Sequence, residues 1–315
     1  MAVRASVVVG RRLWGAGEGR CGGLGGSLRV WSSEAATANA PGGGGGDHRR
    51  SANDVNFGYS KVERAQHKGL VKDVFEKVAP KYDAMNDFMS FFLHRAWKDR
   101  FVSTVHPFAG QRHLDVAGGT GDVGFRVLRE IRRAEEDHVV EHNAEPPSKG
   151  SVCICDINGA MLEEGKKKVE TLDIPDAAQG LSWVESDAES LPFEDSTFDT
   201  YTISFGIRNV SNIDKCLREA HRVLKRGGHF CCLEFSQVNN EVLRQIYDLY
   251  SMNVIPYIGA AYAGDANSYQ YLVESIRKFP EQDHFAEIIA ANGFKSVRYE
   301  NLLDGVVAIH SGFKL

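Results

Sequence analysis

The segment His113-Leu-Asp-Val-Ala-Gly-Gly-Thr-Gly-Asp122 leaves this chain little choice of fold. An apolar run of strand character passes into a turn containing Gly118, Gly119 and Gly121, and a helical pattern opens at Asp122. A strand, a glycine turn and a helix start in so few residues form one unit of an open, mostly parallel sheet with helices on both faces. The rest of the chain agrees with this. Short apolar runs predict strands over 113–116, 152–155, 181–185, 200–204 and 230–235, with helical patterns between them. The clearest helix covers 213–225, where Ile213, Cys216, Leu217, Ala220, Val223 and Leu224 share one face. Ser211 with Asp214 suggests its capping box, and Gly227 with Gly228 its stop. Residues 134–150, charged and carrying Pro146 and Pro147, read as a surface loop. The end of the chain, 296–301 and 306–313 around Asp304-Gly305, reads as a hairpin.

Gly119-Thr120-Gly121-Asp122-Val123-Gly124 matches the GxGxxG pattern of dinucleotide sites, but charge argues against a dinucleotide. A pyrophosphate would rest on the helix N-terminus, where Asp122 stands, with Asp115 just before the loop. A ligand with a sulfonium, an ammonium and one carboxylate suits two aspartates better, and S-adenosylmethionine is such a ligand. Asp156, at the end of the second strand, can accept from both ribose hydroxyls, as it would in an NAD site. After the third strand, Ser186-Asp187-Ala188-Glu189 with Leu191-Pro192-Phe193 offers an acid and an apolar wall for an adenine, and Ser204 follows the fourth strand beside the methionine portion. Singly, each acid is equally well a helix cap or a solvated loop residue. Together with a closing antiparallel hairpin, unusual for a dinucleotide fold, they favour a seven-stranded methyltransferase sheet.

The domain boundaries come from composition. Residues 1–33 are arginine-rich with the single acid Glu18, which reads as a mitochondrial transit peptide, and 34–56 contain the glycine run 42–46 of a flexible linker. Residues 57–315 form the folded domain, with helical patterns over 61–108 as an N-terminal cap and over 237–292 as an insertion, both able to close over the strand ends. Residues 1–50 carry a net charge of +4 against −9 for the remainder, and an acidic body argues against a nucleic-acid binder. Six cysteines without a CxxC pair read as buried hydrophobes, with no metal site. The longest uncharged stretch of the body, 249–264, is interrupted by Asn253 and Pro256 and is too short to span a bilayer.

Tyr82-Asp83-Ala84-Met85-Asn86 with Ser90, His94 and Trp97 resembles the first signature of the ubiquinone/menaquinone-biosynthesis C-methyltransferases. Arg222-Val223-Leu224-Lys225, Gly227-Gly228, Glu234 and Ser236 resemble the second, and Phe205-Gly206-Ile207-Arg208-Asn209-Val210 is similar to the family's segment after strand four. The resemblance runs from about Phe57 to Leu315; Arg226 departs from it, as does the loop 134–150. It implies an α/β, class I S-adenosylmethionine-dependent methyltransferase (Rossmann-like) fold with helical lid insertions. It also implies methyl transfer to a ring carbon of a polyprenylated methoxy-benzoquinol in ubiquinone biosynthesis. The expected location is the mitochondrial matrix, peripheral on the inner membrane, in a complex with other ubiquinone-biosynthesis proteins, with a homodimer left open. Thr120, Asp156, Asp187, Ala188 and Ser204 would contact the cofactor, beside Asp115, Gly119 and Gly121 of the glycine turn. An NAD-dependent oxidoreductase and a non-catalytic subunit are the competing readings.

A ring carbon is nucleophilic only when a quinol hydroxyl is at least partly ionised, which costs about 3–4 kcal/mol at neutral pH for a phenol of pKa near ~10. Arg208 is expected to stabilise that phenolate and hold a water that takes the proton, with Asn209 orienting the water; an ion pair with a surface acid is its structural role. His94, Tyr82 and Asp83 rank below it. Met85, Phe88, Met89, Phe91 and Phe92 read first as core, and Glu234 as bonding backbone N–H groups or touching substrate. Residues 246–271, rich in Tyr, Ile, Leu and Met, are suited to line a channel for the prenyl tail and to rest on a membrane.

Overall fold

The computed structural model describes residues 29–30, 54–79, 82–142, 148–253 and 266–315. Among them the chain runs β1 (Arg29–Val30), β2 (Asp54–Phe57), β3 (Ser60–Glu63), α1 (Arg64–Val78), α2 (Tyr82–Ser90) and α3 (Leu93–Val105). Then follow β4 (Arg112–Val116), α4 (Asp122–His142), β5 (Ser151–Asp156), α5 (Gly159–Lys168), α6 (Ala177–Gly180), β6 (Leu181–Glu185) and β7 (Phe198–Ser204). The remainder is α7 (Ile213–Val223), β8 (Leu224–Phe235), α8 (Glu241–Asn253), α9 (Ala266–Lys278), α10 (Gln282–Ala291), β9 (Lys295–Leu302) and β10 (Val307–Phe313).

Eight strands form one sheet in the order β1-β9-β10-β8-β7-β4-β5-β6, with β2 and β3 as a separate hairpin. Strands β4 to β8 pair in parallel, and β10 lies antiparallel between β8 and β9. This is the mixed sheet and terminal hairpin expected, with β1 added at the edge of β9. Because the central strands are covered on both sides, their sequences are nearly continuous apolar runs. One core layer packs the sheet against α7 and α10 through Leu217, Val223, Phe285 and Ile289. The opposite layer packs it against α3 and α4 through Phe101, Val105, Leu128 and Ile131. Helices α4 and α7 thus leave β4 and β7 toward opposite faces and open a crevice between the carboxyl ends of those neighbouring strands.

Polar residues inside this sheet form a ladder. Gln111 Nε2 donates to Thr200 Oγ1 at 2.5 Å, and His113 bonds Thr200 and Thr202 at 2.6 and 2.9 Å. Thr202 Oγ1 then donates to Asp115 Oδ1 at 2.7 Å, and Asp115 Oδ2 accepts Gly124 N at 3.1 Å. Burial drives His113 down to about 3 and Asp115 up to about 7, so the ladder favours neutral side chains.

Several expectations are corrected. Helix α7 ends at Val223, and Gly227-Gly228 lie inside β8, where Gly227 N donates to Lys314 O and Lys314 N to Gly228 O. Its cap is Asn212, whose side chain accepts Lys215 N at 3.0 Å, while Ser211 turns to His67. Helix α4 continues to His142, so residues 134–142 are not loop. Residues 61–63 belong to β3, and helix begins at Arg64. Of the Met/Phe cluster Met85 is core and Met89 packs partly buried against it, whereas Phe88, Phe91 and Phe92 are exposed at the corner between α2 and α3. Cys153, Cys155, Cys216, Cys231 and Cys232 are buried free thiols as expected.

The glycine turn depends on Gly121, at φ +86°, where a Cβ would stand 2.8 Å from Phe125 Cζ and 3.0 Å from Trp183. Gly121→Ala combines a left-handed backbone penalty of ~1–2 kcal/mol with that overlap. Its thermal unfolding midpoint is expected to fall by about 4–8 °C. Gly69→Ala, in open space on α1, exchanges a poor helix former for the best one and should leave the midpoint unchanged or raise it. Calorimetry of both variants checks the contrast.

Candidate functional site

At the crevice, the ends of β4, β5, β6 and β7 enclose a cleft of about 780 Å³, lined by Gly119, Asp156, Asn158, Asp187, Ala188 and Ser204 among others, and roofed by Lys68, Val71, Lys72 and Phe75 of α1. Asp156 stands at its centre. Its Oδ2 accepts Gly119 N at 2.9 Å, its Oδ1 accepts Asn158 N at 2.8 Å, and the backbone N–H of Ile157 also bonds the carboxylate. Burial pushes this carboxyl up to about 6. Gly119, at φ +55°, brings its N–H onto Asp156, and a Cβ there would meet Met161 Cε at 3.1 Å. Asp187 Oδ1 accepts Glu189 N at 2.9 Å, and its other oxygen pairs with Lys68. Ser204 Oγ is buried with no hydrogen-bond partner.

Thus Gly119, Asp156, Asp187, Ala188 and Ser204 come together around one cleft. Three other expected cofactor residues stand behind it. Asp115 lies beneath the turn as the end of the polar ladder. Thr120, also buried, donates from Oγ1 to Asp83 Oδ1 at 3.0 Å. Gly121 packs under Phe125 and Trp183. They shape the turn from the protein side. Leu191 and Phe193 join the core instead of facing the cleft, and Ile157 and Met161 supply its apolar lining. Asp122 is also turned away from it. Burial opposes its charge, but Lys98 Nζ at 2.8 Å and Arg126 Nε at 3.0 Å hold its carboxyl well below the usual range.

A second cavity, about 1040 Å³, lies between the carboxyl ends of β7 and β8 and the helical cap. Phe75, Tyr82 and Phe205 border both spaces and form the partition between them. Phe205 takes a left-handed backbone at φ 55°, an outlier for a bulky residue, held by its N–H on Leu233 O at 2.8 Å. Arg208 lies in the wall, 5% exposed and paired at 2.7 Å with Glu234, itself 1% exposed. Nη1 of Arg208 also donates to Phe205 O at 2.6 Å, and Nε is buried without a partner. Glu234 bonds the backbone too, accepting Phe235 N at 2.9 Å, and burial raises its pKa. The ion partner of Arg208 is therefore a buried acid and not a surface one. Asn209 faces the first cleft, where its Oδ1 accepts Tyr271 Oη at 3.0 Å. Tyr247, Tyr250 and Tyr271 of the expected tail segment line the second cavity; residues 254–265 of that segment are outside the described residues. Sequence reasoning missed Lys68 and Lys72 of the roof, Asn158 as cap of α5, and Lys98. Only the proximity of Lys98 to the Tyr82–Trp97 signature could have pointed to it.

A model described as the ubiE/COQ5 methyltransferase family matches residues 61–314. The chain belongs to that family. Among its relatives, the 2-methoxy-6-polyprenyl-1,4-benzoquinol methylase, mitochondrial, of Oryza sativa subsp. japonica is 52% identical over 261 residues, covering 83% of this chain and 88% of that one. The protein of the same name in Bos taurus is 51% identical over 284 residues, covering 84% and 85%. A crystal structure of a SAM-dependent methyltransferase from Thermotoga maritima matches 77% of this chain and 99% of its own, at a TM-score of 0.50 and 17% identity, which speaks to the fold. In this family member the cofactor is S-adenosylmethionine. The cleft fits it. Asp156 presents a carboxylate able to accept from a vicinal diol, Ile157, Met161 and Ala188 give an apolar slot, and Ser204 Oγ waits unpaired for a polar group. Among the described residues no cluster of side chains could hold a metal ion.

Because the diol needs an ionised acceptor and Asp156 titrates at about 6, protonation competes with the cofactor. Cofactor affinity measured by calorimetry should therefore be constant above that pH and fall by up to about tenfold per unit below it. Asp156→Asn should bind ~10–100-fold more weakly, with this dependence flattened.

Proposed function

We propose that the chain methylates a ring carbon of a 2-methoxy-6-polyprenyl-1,4-benzoquinol, in ubiquinone biosynthesis. The observation that carries this reading is the pair of cavities with a shared aromatic partition, one polar and acid-lined, the other apolar with an arginine in its wall. When bound, S-adenosylmethionine supplies an electrophilic methyl group on a cationic sulfonium. The chain's own residues do the rest. Phe205, Trp97 and Phe235 form an aromatic wall, with Trp97 and Phe235 centroids 6.3 Å apart, against which a flat ring can lie with water excluded. Arg208 has one nitrogen committed to Glu234 and Phe205 O, and its Nε–H remains as a buried donor for a phenolate oxygen. A donor held in place inside an apolar wall stabilises developing negative charge with little reorganisation.

A dehydrogenase reading finds little support, since Asp122 occupies the first turn of α4, the helix N-terminus on which a dinucleotide's pyrophosphate would rest. The intact donors and acceptors of both cavities favour an active enzyme over a non-catalytic subunit.

The substrate's tail places the reaction at a lipid surface. No helix among the described residues is long and apolar enough to cross a membrane. The corner between α2 and α3 exposes Phe88, Phe91 and Phe92, and α8 exposes Val242, Ile246 and Leu249. Phe91 reaches Tyr250 of the second cavity at 5.6 Å, so this apolar surface is continuous with the cavity's rim. We read it as peripheral contact with the matrix face of the inner mitochondrial membrane, reached through a transit peptide in residues 1–33, a segment largely outside the described residues.

Arg208→Lys keeps a positive charge but loses the fork that serves Glu234 and the ring together. Its kcat should fall by ~10²–10³-fold with cofactor affinity unchanged. The deficit should shrink as pH approaches ~10, where the quinol ionises unaided. A deficit constant across pH, in initial rates, would remove the phenolate role. Phe91→Ser with Leu249→Ser should raise KM for a long-tailed quinol in vesicles and leave a tail-less quinol unaffected. An equal loss on both would assign these residues to folding.

A further inference from the structure

The proposed reaction needs a final acceptor for a hydroxyl proton, and neither residue expected to hold or orient a water for that proton can itself be that acceptor. The Arg208 guanidinium only donates. Asn209 Oδ1 is occupied by Tyr271 Oη and faces the cofactor cleft. Around the second cavity, Lys98 is tied to Asp122 at 2.8 Å, and burial raises Tyr247 and Tyr271 to about 12, which keeps them protonated.

His94 differs from all of these. It lines the same cavity, is 7% exposed, and its Nε2 lies 2.7 Å from Asp87 Oδ1. Arg95 grips Asp87 with two bonds of 2.7 Å, and those bonds, against the opposing effect of burial, hold the carboxyl below the usual range. An ionised carboxylate only accepts, so Nε2 carries the ring proton and Nδ1 presents its lone pair. That Nδ1 is buried and has no partner. The backbone is strained to make this pair: Phe91 and Phe92 adopt φ of 49° and 64° in the tight corner that folds Asp87 back beside His94. A buried lone pair costs stability unless a donor meets it, and a quinol hydroxyl entering this cavity is such a donor.

We propose that His94, oriented by Asp87, is the catalytic base that takes the hydroxyl proton of the quinol, an assignment that rests on the substrate reading above. The O–H bond breaks with its electron pair left on oxygen, and an N–H bond forms at Nδ1, the imidazolium being stabilised by Asp87. The ring's electron pair forms the new bond to the methyl carbon as the methyl–sulfur bond breaks with its pair left on sulfur, and the ring carbon's hydrogen then leaves as a proton to water. The electron pair then restores the aromatic ring, and His94 returns its proton to the oxygen. The net release is one proton to solvent.

The groups facing His94 are Asp87 on α2, Arg95 and Lys98 on α3, Asp122 at the start of α4, and Arg208, Tyr82 and Tyr250 around the cavity. Burial and then Lys98 lower its pKa from the ordinary value, with Asp87 opposing, so it is neutral and able to accept at pH 7–8. Activity is expected to fall as pH drops through that pKa.

The test is kcat and KM from pH 5 to 10 for the full chain with S-adenosylmethionine and a short-tailed methoxy-hydroquinone, alongside cofactor calorimetry and melting of each variant. His94→Gln should lower kcat ~10²–10⁴-fold with cofactor affinity retained, lose the acid limb, and narrow its deficit toward pH 10. Asp87→Asn removes the carboxylate that supports the imidazolium, and should move the acid limb to lower pH. His94→Ala should regain part of its rate with added imidazole. A His94→Gln variant that keeps the wild-type rate and limb overturns the proposal. Should that variant fail to fold, an unmoved limb in Asp87→Asn overturns it equally. A wild type that binds the cofactor but methylates no quinol overturns the substrate reading and this proposal together, whereas an active wild type with an indifferent His94 overturns only the proposal.

Discussion

The bond between Asp115 and the backbone of Gly124 is the constraint on which the site depends. A glycine-rich turn has no side chains to hold its shape, so something beneath it must. Asp115 Oδ2 accepts Gly124 N at 3.1 Å from under the turn, and its other oxygen is fixed by Thr202, in register across from it on β7. The strands on either side of the crevice are thus joined below the loop through side chains as well as backbone. The ladder from Gln111 through Thr200 and His113 continues that tie into the sheet, and each polar atom it buries is met by another. The presented N–H of Gly119 and the position of Asp156 follow from this foundation.

The second consequence is separation of chemistry. A sulfonium and a phenolate must meet, but the two molecules that carry them need opposite surroundings. The carboxyl ends of the parallel strands provide acids for one; the helices before and after the sheet provide an apolar shell for the other. Phe75 from α1, Tyr82 from α2 and Phe205 after β7 meet where the two spaces adjoin. The partition is therefore assembled from two distant parts of the chain, the neighbouring helices α1 and α2 and the end of β7, and cap and sheet must both be in place for the site to exist.

This explains which parts of the molecule were legible in the sequence. The strands, the glycine turn and the terminal hairpin are local patterns of period and turn residue. Asp156, Asp187 and Ser204 can be placed around one cleft from sequence because in such a sheet the residue at a strand's carboxyl end has a known place. Asp115 was assigned to the ligand because its charge is visible in sequence, whereas its orientation toward Thr202 and Gly124 is set by cross-strand register. Helix α7 was extended too far because Leu224 and Lys225 continue its pattern, yet β8 takes them into the sheet. The phenylalanines at the α2–α3 corner were read as core because composition cannot show that Phe91 and Phe92 sit in left-handed backbone facing outward. The Asp87–His94 pair was missed for the same reason: seven residues apart on one helix they would lie on one face two turns apart, and only the corner brings them into contact.

The roof over the cofactor cleft poses a last physical question, which is why a site for a cation should be covered by lysines. Lys68 pairs with Asp187 and, at 3.2 Å, with Glu189, and Lys72 with Glu185 at 3.0 Å, while Lys168 of α5 pairs with Asp83 of α2. Most of these groups are partly exposed, so each pair adds little stability by itself. Their effect lies in placement. Lys68 neutralises Asp187 and Glu189, where the adenine is expected, while Asp156, where the ribose is expected, has no lysine partner among its bonds. The negative potential of the cleft is thereby reduced where a neutral base would sit and preserved where hydroxyls must be bound. Since α1 also contributes Phe75 to the partition, the helix that roofs the first cleft is at the same time a wall of the second cavity.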